Sequence, residues 1–453
     1  MVQGPLLLVI LLAAIAFIVW STAKLKLHPF LALLITAYGV GLAARMPIDK
    51  IAGSITAGFG NLMTSIGLVI VAGTVIGVFL EKSGAAVVMA DTILKWVGEK
   101  RPALAMSIIG YIVSIPVFCD SGFVILSSLN KALSRRSKVS LTALGVALST
   151  GLYATHVMVP PTPGPLAAAG NLGATNLGLV IIVGLIVAIP ATVAGYLWAR
   201  RFSNHFDPNQ KLDTQDAGQT WEQLKASYGK LPSAFAAFAP LVVPILLIAL
   251  KSIADLKTAP FGTGHLKFAI SFVGTPVTAL LIGTFLCFFL VEKLDEKVLS
   301  GWVGSALKDA AVILVVTGAG GSLGEMLKVT QIGTYLGTTL AQYNLGIFLP
   351  FVIAAAIKTA QGSSTVALVT TSALLAPMLA DLGFASEMGR VLMVMAVAAG
   401  AMVVSHANDS FFWVVSQFSN MEVSTAYKAQ TTGTLVQGLV AIATVALLSF
   451  VLI

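Results

Sequence analysis

Between Lys138 and Arg200 the chain carries no Asp, Glu, Lys or Arg, and this stretch closes on LGLVIIVGLIVAIPATVAGYLW (177–198). A run of about 20 apolar residues is long enough to cross the hydrocarbon of a bilayer as a helix. Lipid gives a bare backbone no hydrogen-bond partners, so the only spanning alternative is a closed barrel. Barrel strands alternate apolar and polar residues, and the runs of Leu, Ile, Val and Ala here do not. Similar runs recur along the chain. They raise the hydrophobic share to 57% and leave 10% charged, with a mean hydropathy of +0.93. A soluble domain carries about 25% charged residues. The expected class is an all-α polytopic membrane protein with a lipid bilayer as its surroundings.

Cys119 and Cys287 are the only cysteines, too few for a disulfide framework or a cysteine metal site. The first apolar run, PLLLVILLAAIAFIVW (5–20), is followed rather than preceded by lysines, which favours a retained helix over a cleaved leader. The net charge of +8 sits in short loops beside apolar runs, so it orients the chain in the membrane and implies no nucleic-acid partner.

The chain also repeats itself. Pro29-Phe-Leu-Ala-Leu-Leu-Ile35 recurs as Pro276-Val-Thr-Ala-Leu-Leu-Ile282, and the same shift of 247 places Gly73, Gly77 and Leu80 on Gly320, Gly324 and Leu327. His156 falls on His406 at a shift of 250. Prolines, glycines and histidines in step indicate duplication rather than shared composition. The expected organisation is a first transmembrane helix in 1–26, repeat one over 27–201, a polar cytoplasmic linker at 202–231, an unpaired helix and loop at 232–266, and repeat two over 267–453.

Two segments decide the topology. In 102–130 two apolar arms flank Cys119-Asp120-Ser121-Gly122, and in 346–378 two similar arms flank Gln361-Gly362-Ser363-Ser364-Thr365. Each arm is short for a full crossing, so both read as re-entrant hairpins whose polar tips lie near mid-membrane. Further helices break inside 140–165, at Pro160-Pro161-Thr162-Pro163, and inside 389–410, near His406-Ala-Asn-Asp-Ser410. With hairpins that do not cross, repeat two is inverted relative to repeat one, giving about 10–12 transmembrane helices in all. Lys24, Lys82, Lys95, Arg101, Arg135 and Arg200 then share the cytoplasmic side, while Arg45, Lys50, Lys251, Lys328 and Arg390 lie outside. Inverted halves whose broken helices meet at the midplane are the architecture of secondary transporters.

The motifs resemble one family. THVMVPPTPGP (155–165) is similar to the TH-x-x-x-PPHPGP stretch of the gluconate permease family of gluconate:proton symporters. QGSSTVAL (361–368) resembles its AQGSATVA segment, SHANDSFFWVV (405–415) its SHVND-x-x-FW-x-V, and FCDSGFVIL (118–126) its E-x-GF-x-L-L tip. The likeness runs through nearly the whole chain. It implies an ion-coupled carrier with a rigid scaffold, a moving transport domain (an elevator), a homodimer, and gluconate, a related sugar acid or D-serine as substrate. Two departures, Asp120 for the family's frequent Glu and Thr162 for the His of PPHPGP, put gluconate itself in question and leave a smaller acid such as glycerate open.

Asp120 and Asp409 are isolated carboxylates in apolar surroundings. Charge at membrane depth is costly and usually functional, although either Asp could simply cap the helix that follows it. His156 and His406 hold equivalent repeat positions and carry the side chain that titrates nearest neutral pH; a packing role is the blander reading. These four are the expected proton or cation couplers. Gly362, Ser363, Ser364 and Thr365 set hydroxyls and free N–H groups at a half-helix N-terminus, which favours an anion. With Ser121, Gly122, Thr162, Gln361, Asn408 and Ser410 they are the expected substrate contacts. Lys358, one turn below, either pairs with the anion or extends toward the interface. No G-x-x-x-x-G-K-[ST] occurs, so no cofactor is expected and an ion gradient, of protons or of sodium, would supply the energy. A remote rival is an intramembrane serine hydrolase with Ser363 or Ser364 as nucleophile and His406 as base, but the G-x-S-x-G elbow is incomplete.

Overall fold

A computed structural model describes residues 2–98, 100–137, 139–203, 221–254, 261, 263–332, 335, 346–406 and 409–453. Most of the expected linker, 204–220, and Asn408 therefore lie outside the described residues. Every regular element among the described residues is a helix. In chain order they are α1 (Leu6–Ala23), α2 (Pro29–Ala43), α3 (Ile48–Lys82), α4 (Ala85–Val97), α5 (Pro102–Val113), α6 (Cys119–Arg136), α7 (Leu141–Met158), α8 (Pro163–Leu172) and α9 (Leu177–Trp198). The second half holds α10 (Trp221–Ser227), α11 (Ala234–Ala254), α12 (His265–Val273), α13 (Pro276–Cys287), α14 (Val303–Val329), α15 (Phe348–Gln361), α16 (Ser364–Leu375), α17 (Glu387–Ala401), α18 (Ser410–Phe418) and α19 (Thr432–Leu452).

Among the described residues five helices are long and apolar enough to cross a membrane, or seven if each of two bent pairs counts as one span. The arms α5, α15 and α16 are apolar but shorter. Local chemistry sets the boundaries. Proline opens α2, α5, α8 and α13, where its missing N–H is no loss. Side chains cap α7, α9 and α17: Ser140, Asn176 and Ser386 accept from Ala143, Leu179 and Gly389 N–H at 3.1, 3.0 and 3.1 Å.

Two elements differ from the periodicity. The apolar run over 268–291 bends by 64° between α12 and α13, because Gly274 and Thr275 precede Pro276. The continuous apolar run IGLVIVAGTVIGVFL (66–80) is only the later part of α3, which starts at Ile48. Its added turns, rich in Gly, Ser and Thr, are held by packing. A Cβ on Gly58 would lie 2.5 Å from the Gly321 carbonyl, and one on Gly321 would lie 2.6 Å from that of Gly58. Backbone-to-backbone approach of this kind is how membrane helices associate, and α3 against α14 is the most extensive helix pairing in the fold.

The elements around the hairpins and breaks pair crosswise. The second arm of hairpin two, α16, packs on α8 beyond the first break, and the second arm of hairpin one, α6, packs on α18 beyond the second break. Four half-helix ends are thereby gathered in one region.

Candidate functional site

Helix α15 stops at Gly362, whose φ of +93° suits a residue without a Cβ. Its N–H bonds back to the Lys358 carbonyl at 2.8 Å. Ser363 then caps α16, accepting from Val366 N–H at 3.3 Å. Inside this turn Lys358 is fully buried; its ammonium donates to the Gly362 carbonyl and, at 2.6 Å, to Asp409 Oδ2. Asp409 caps α18, its Oδ1 accepting from Phe411 N–H at 3.1 Å, and Oδ2 also accepts from Ser405 Oγ at 2.6 Å. The two side chains are 0% and 7% exposed. Either charge alone at that depth would cost several kcal/mol, so each offsets the burial of the other.

The second break is itself constrained. Val404, a β-branched residue, sits at φ +58°, a conformation worth about 1–3 kcal/mol of strain. Its neighbour Ser405 is held on both sides, its N–H donating to Thr434 Oγ1 at 3.0 Å and its carbonyl accepting from Thr431 Oγ1 at 2.6 Å. At the first break Thr162 turns its hydroxyl back to the Val159 carbonyl at 2.5 Å.

Sequence reasoning missed Tyr153. Its ring stacks on Phe411 with centroids 5.3 Å apart, the Lys358 ammonium lies 5.9 Å from its centroid, and its hydroxyl shares a 2.6 Å hydrogen bond with Ser364. It lies on α7 one turn before His156, and that proximity was the only signal. Thr365 lies against Gly164, where a Cβ would come 3.6 Å from the Thr365 Cα, so tip two touches the PPTPGP break. Tip one reaches the other break: Asp120 Oδ1 accepts from Ser410 Oγ at 3.3 Å, and Cys119 Sγ lies 3.6 Å from Oδ2. Gly122 is buried against Leu152. Ser121 lies beside the carboxylate of Glu81, on α3.

The histidines separate. His156 is buried, its ring 5.8 Å from that of Phe118, and its Nδ1 has no hydrogen-bond partner among the described residues. His406 meets the Thr359 carbonyl through Nε2 at 2.9 Å. Of Gln361 only the backbone, at the end of α15, is described. The structure thus gathers Asp120, Ser410, Asp409, Lys358, Ser363, Ser364 and Tyr153 around the tips. Ser364 is engaged by Tyr153 and His406 Nε2 by the Thr359 carbonyl, so these two do not pair as nucleophile and base.

Charged and hydroxyl groups at opposed half-helix ends, inside an apolar helical bundle, define a membrane transport protein. The comparisons give the family. The model of the GntP family permease matches residues 6–451, and this chain belongs to that family. It is a multi-pass membrane permease rather than an enzyme. A gluconate permease of Pseudomonas aeruginosa is 35% identical, covering 99% of this chain and 98% of the relative. An uncharacterized permease of Haemophilus influenzae is 36% identical over 91% and 86%, and the D-serine transporter DsdX of Escherichia coli is 31% identical over 98% of each. The fold is shared with the Neisseria gonorrhoeae efflux pump MtrF, at a TM-score of 0.68 and 15% identity over 97% and 98% of the two chains. It is shared too with the Alcanivorax borkumensis transporter YdaH, at 0.64 and 16% over 94% and 99%.

Proposed function

We propose that this permease imports a small hydroxylated monocarboxylate, gluconate or a related sugar acid, with a proton across the bacterial inner membrane. The observation that carries the reading is the buried Lys358–Asp409 pair beside the Ser363–Thr365 tip. Empty, the pair is neutral. A substrate carboxylate brought to Lys358 would displace Asp409 and leave the buried site one negative charge in excess, at a cost of several kcal/mol. A proton on Asp409 removes that excess. Substrate and proton therefore load together, one for one, and only the two together leave the site's net charge unchanged. Ser363, Thr365 and the N-terminus of α16 hold the carboxylate, while Asp120 and Ser410 meet the substrate hydroxyls from tip one. His156, buried on α7 with an unpartnered Nδ1 among the described residues, relays the proton in this reading.

The scaffold in this reading is the α3–α14 pair, and the crosswise-paired hairpins and broken helices move against it. The two halves are inverted repeats, the hairpins are re-entrant from opposite faces, and the working unit is a homodimer. Three gluconate permease relatives at 30–35% identity favour a sugar acid. Asp120, which has no ion-pair partner among the described residues, supports sodium coupling as a second reading, and the D-serine relative keeps an amino acid substrate in play. The test uses purified protein in liposomes loaded with a pH-sensitive dye, with gluconate, glycerate and D-serine added singly, with and without sodium. Lumen acidification that needs substrate but not sodium, and that Asp409→Asn abolishes, is the expected result. Uptake that requires sodium and leaves the lumen pH unchanged would overturn proton coupling, and absence of uptake would overturn the substrate class.

A further inference from the structure

We infer that Glu81 and Lys328 give the transport path opposite charges at its two ends, so that a substrate anion is drawn in from outside and expelled inside. This rests on the carrier reading above and on the inverted repeat. The shift that places Leu80 on Leu327 places Glu81 on Lys328. The two residues thus stand at equivalent points near the ends of α3 and α14, the most extensively packed helix pair. Equivalent positions in a duplicated fold meet the moving elements in the same way, and here their charges differ in sign.

The surroundings of each are distinct. The Glu81 carboxylate lies against the Ser121 hydroxyl of tip one, next to Asp120, with Asp309 of α14 and the adjacent Lys82 also acting on it and Tyr228 close by. Lys328 lines an open cleft between the α3–α14 pair and the ends of α8, α16 and α17, together with Asn61, Asn171, Glu325 and Arg390. Glu325 approaches its ammonium at 3.4 Å, yet the lysine side chain stays 69% exposed. Arg390 is turned onto the Gly173 and Ala385 carbonyls at 2.9 and 3.0 Å. Loop charges set the Glu81 end inside and the Lys328 end outside. The hairpin tips, carried between faces, meet Lys328 while the site is open to the outside and Glu81 while it is open to the cytoplasm. A cation at the outer mouth raises the local anion concentration, and a carboxylate at the inner mouth shortens the anion's stay.

The experiment measures the half-saturating concentration of radiolabelled gluconate from each side of right-side-out proteoliposomes, as zero-trans uptake and as efflux. Glu81→Gln keeps a hydrogen-bonding partner for Ser121 and removes the charge. It is expected to lower the internal half-saturating concentration about fivefold, the scale of one partly screened charge at close range, and to leave the external one unchanged. Glu81→Asp restores most of the internal value. Lys328→Gln is expected to raise the external value about fivefold without moving the internal one, and both effects shrink at high ionic strength. Variants that shift both sides alike, or Gln and Asp behaving alike at position 81, would overturn the asymmetry while leaving the carrier intact. Wild type that moves no gluconate in either direction would overturn the carrier reading, and this inference with it.

Discussion

Lys358→Met removes one partner of a buried ion pair and leaves the other in place. Asp409 would then keep only the Ser405 hydroxyl and the Phe411 N–H, and the Gly362 carbonyl would lose its ammonium donor. With side chains 0% and 7% exposed, the stranded carboxylate has little water to turn to. Breaking such a pair from one side costs about 3–5 kcal/mol. Replacing both charges with apolar groups of similar size, as in Lys358→Met with Asp409→Leu, removes the stranded charge and is expected to cost much less. The assay is a double-substitution cycle on thermal unfolding in detergent, read from the loss of monodisperse protein by size-exclusion chromatography. The order expected is wild type above the double variant, and the double variant above either single one. Single variants that melt at or above the double variant would refute the argument, because the pair would then be two solvated groups that happen to touch. Transport separates a second issue: all three variants are expected to lose substrate-coupled proton entry, whatever their stability.

Ser363→Ala removes the cap of α16, worth about 1 kcal/mol of helix stability, together with a hydroxyl of the proposed anion site; external half-saturation is expected to rise about tenfold in uptake assays. Tyr153→Phe strips Ser364 of its 2.6 Å partner and should lower thermal stability by about 1–3 kcal/mol; a larger loss in transport rate than in stability would mark Tyr153 as part of the moving site. On α4, which is not among the helices apolar enough to cross a membrane, burial alone would raise Asp91, but hydrogen bonds from Lys225 and Lys95 prevail and hold its carboxyl below the usual carboxylate range. A depressed acid stabilises the fold above its unfolded pKa of about 3.9 and loses that contribution as the pH falls through the lower folded value. The melting difference between wild type and Asp91→Asn should therefore hold steady from pH 7 to 5 and close only below about pH 4; a difference that closes near neutrality would show that Lys225 and Lys95 do not hold the carboxyl down.

What the sequence makes legible follows from how local each signal is. Apolar runs, prolines and capping residues act within a few positions, and they place most helices, both hairpin tips and both breaks. The start of α3 at Ile48 was not legible because its first turns hold together through Gly58 against Gly321, a contact across the two halves. The same limit governs the site. Asp409 looks isolated between Arg390 and Glu422 in the chain, whereas in space it is the partner of Lys358, fifty-one positions earlier. Tyr153 meets Ser364 across 211 positions, and no periodicity encodes which apolar helix face carries a hydroxyl that reaches a tip.

That isolation in sequence and pairing in space has a consequence for coupling. Each tip is met by a break from the other half: Asp120 by Ser410, and Ser364 by Tyr153, one turn ahead of the first break. Lys358 and Asp409 join a tip to a break within the second half. A single-half bundle could hold the ion pair, but it could not place a second carboxylate opposite. With halves that interlock, any movement of tip two carries Lys358 and its charge along with α18, and α18 is packed on the arm that bears Asp120. In the proposed mechanism the carboxylate on tip one and the ion pair at tip two would therefore travel as one body. On that proposal a substrate seated between them changes sides only with its charge already balanced, and the buried pair is a condition for transport as well as a binding element.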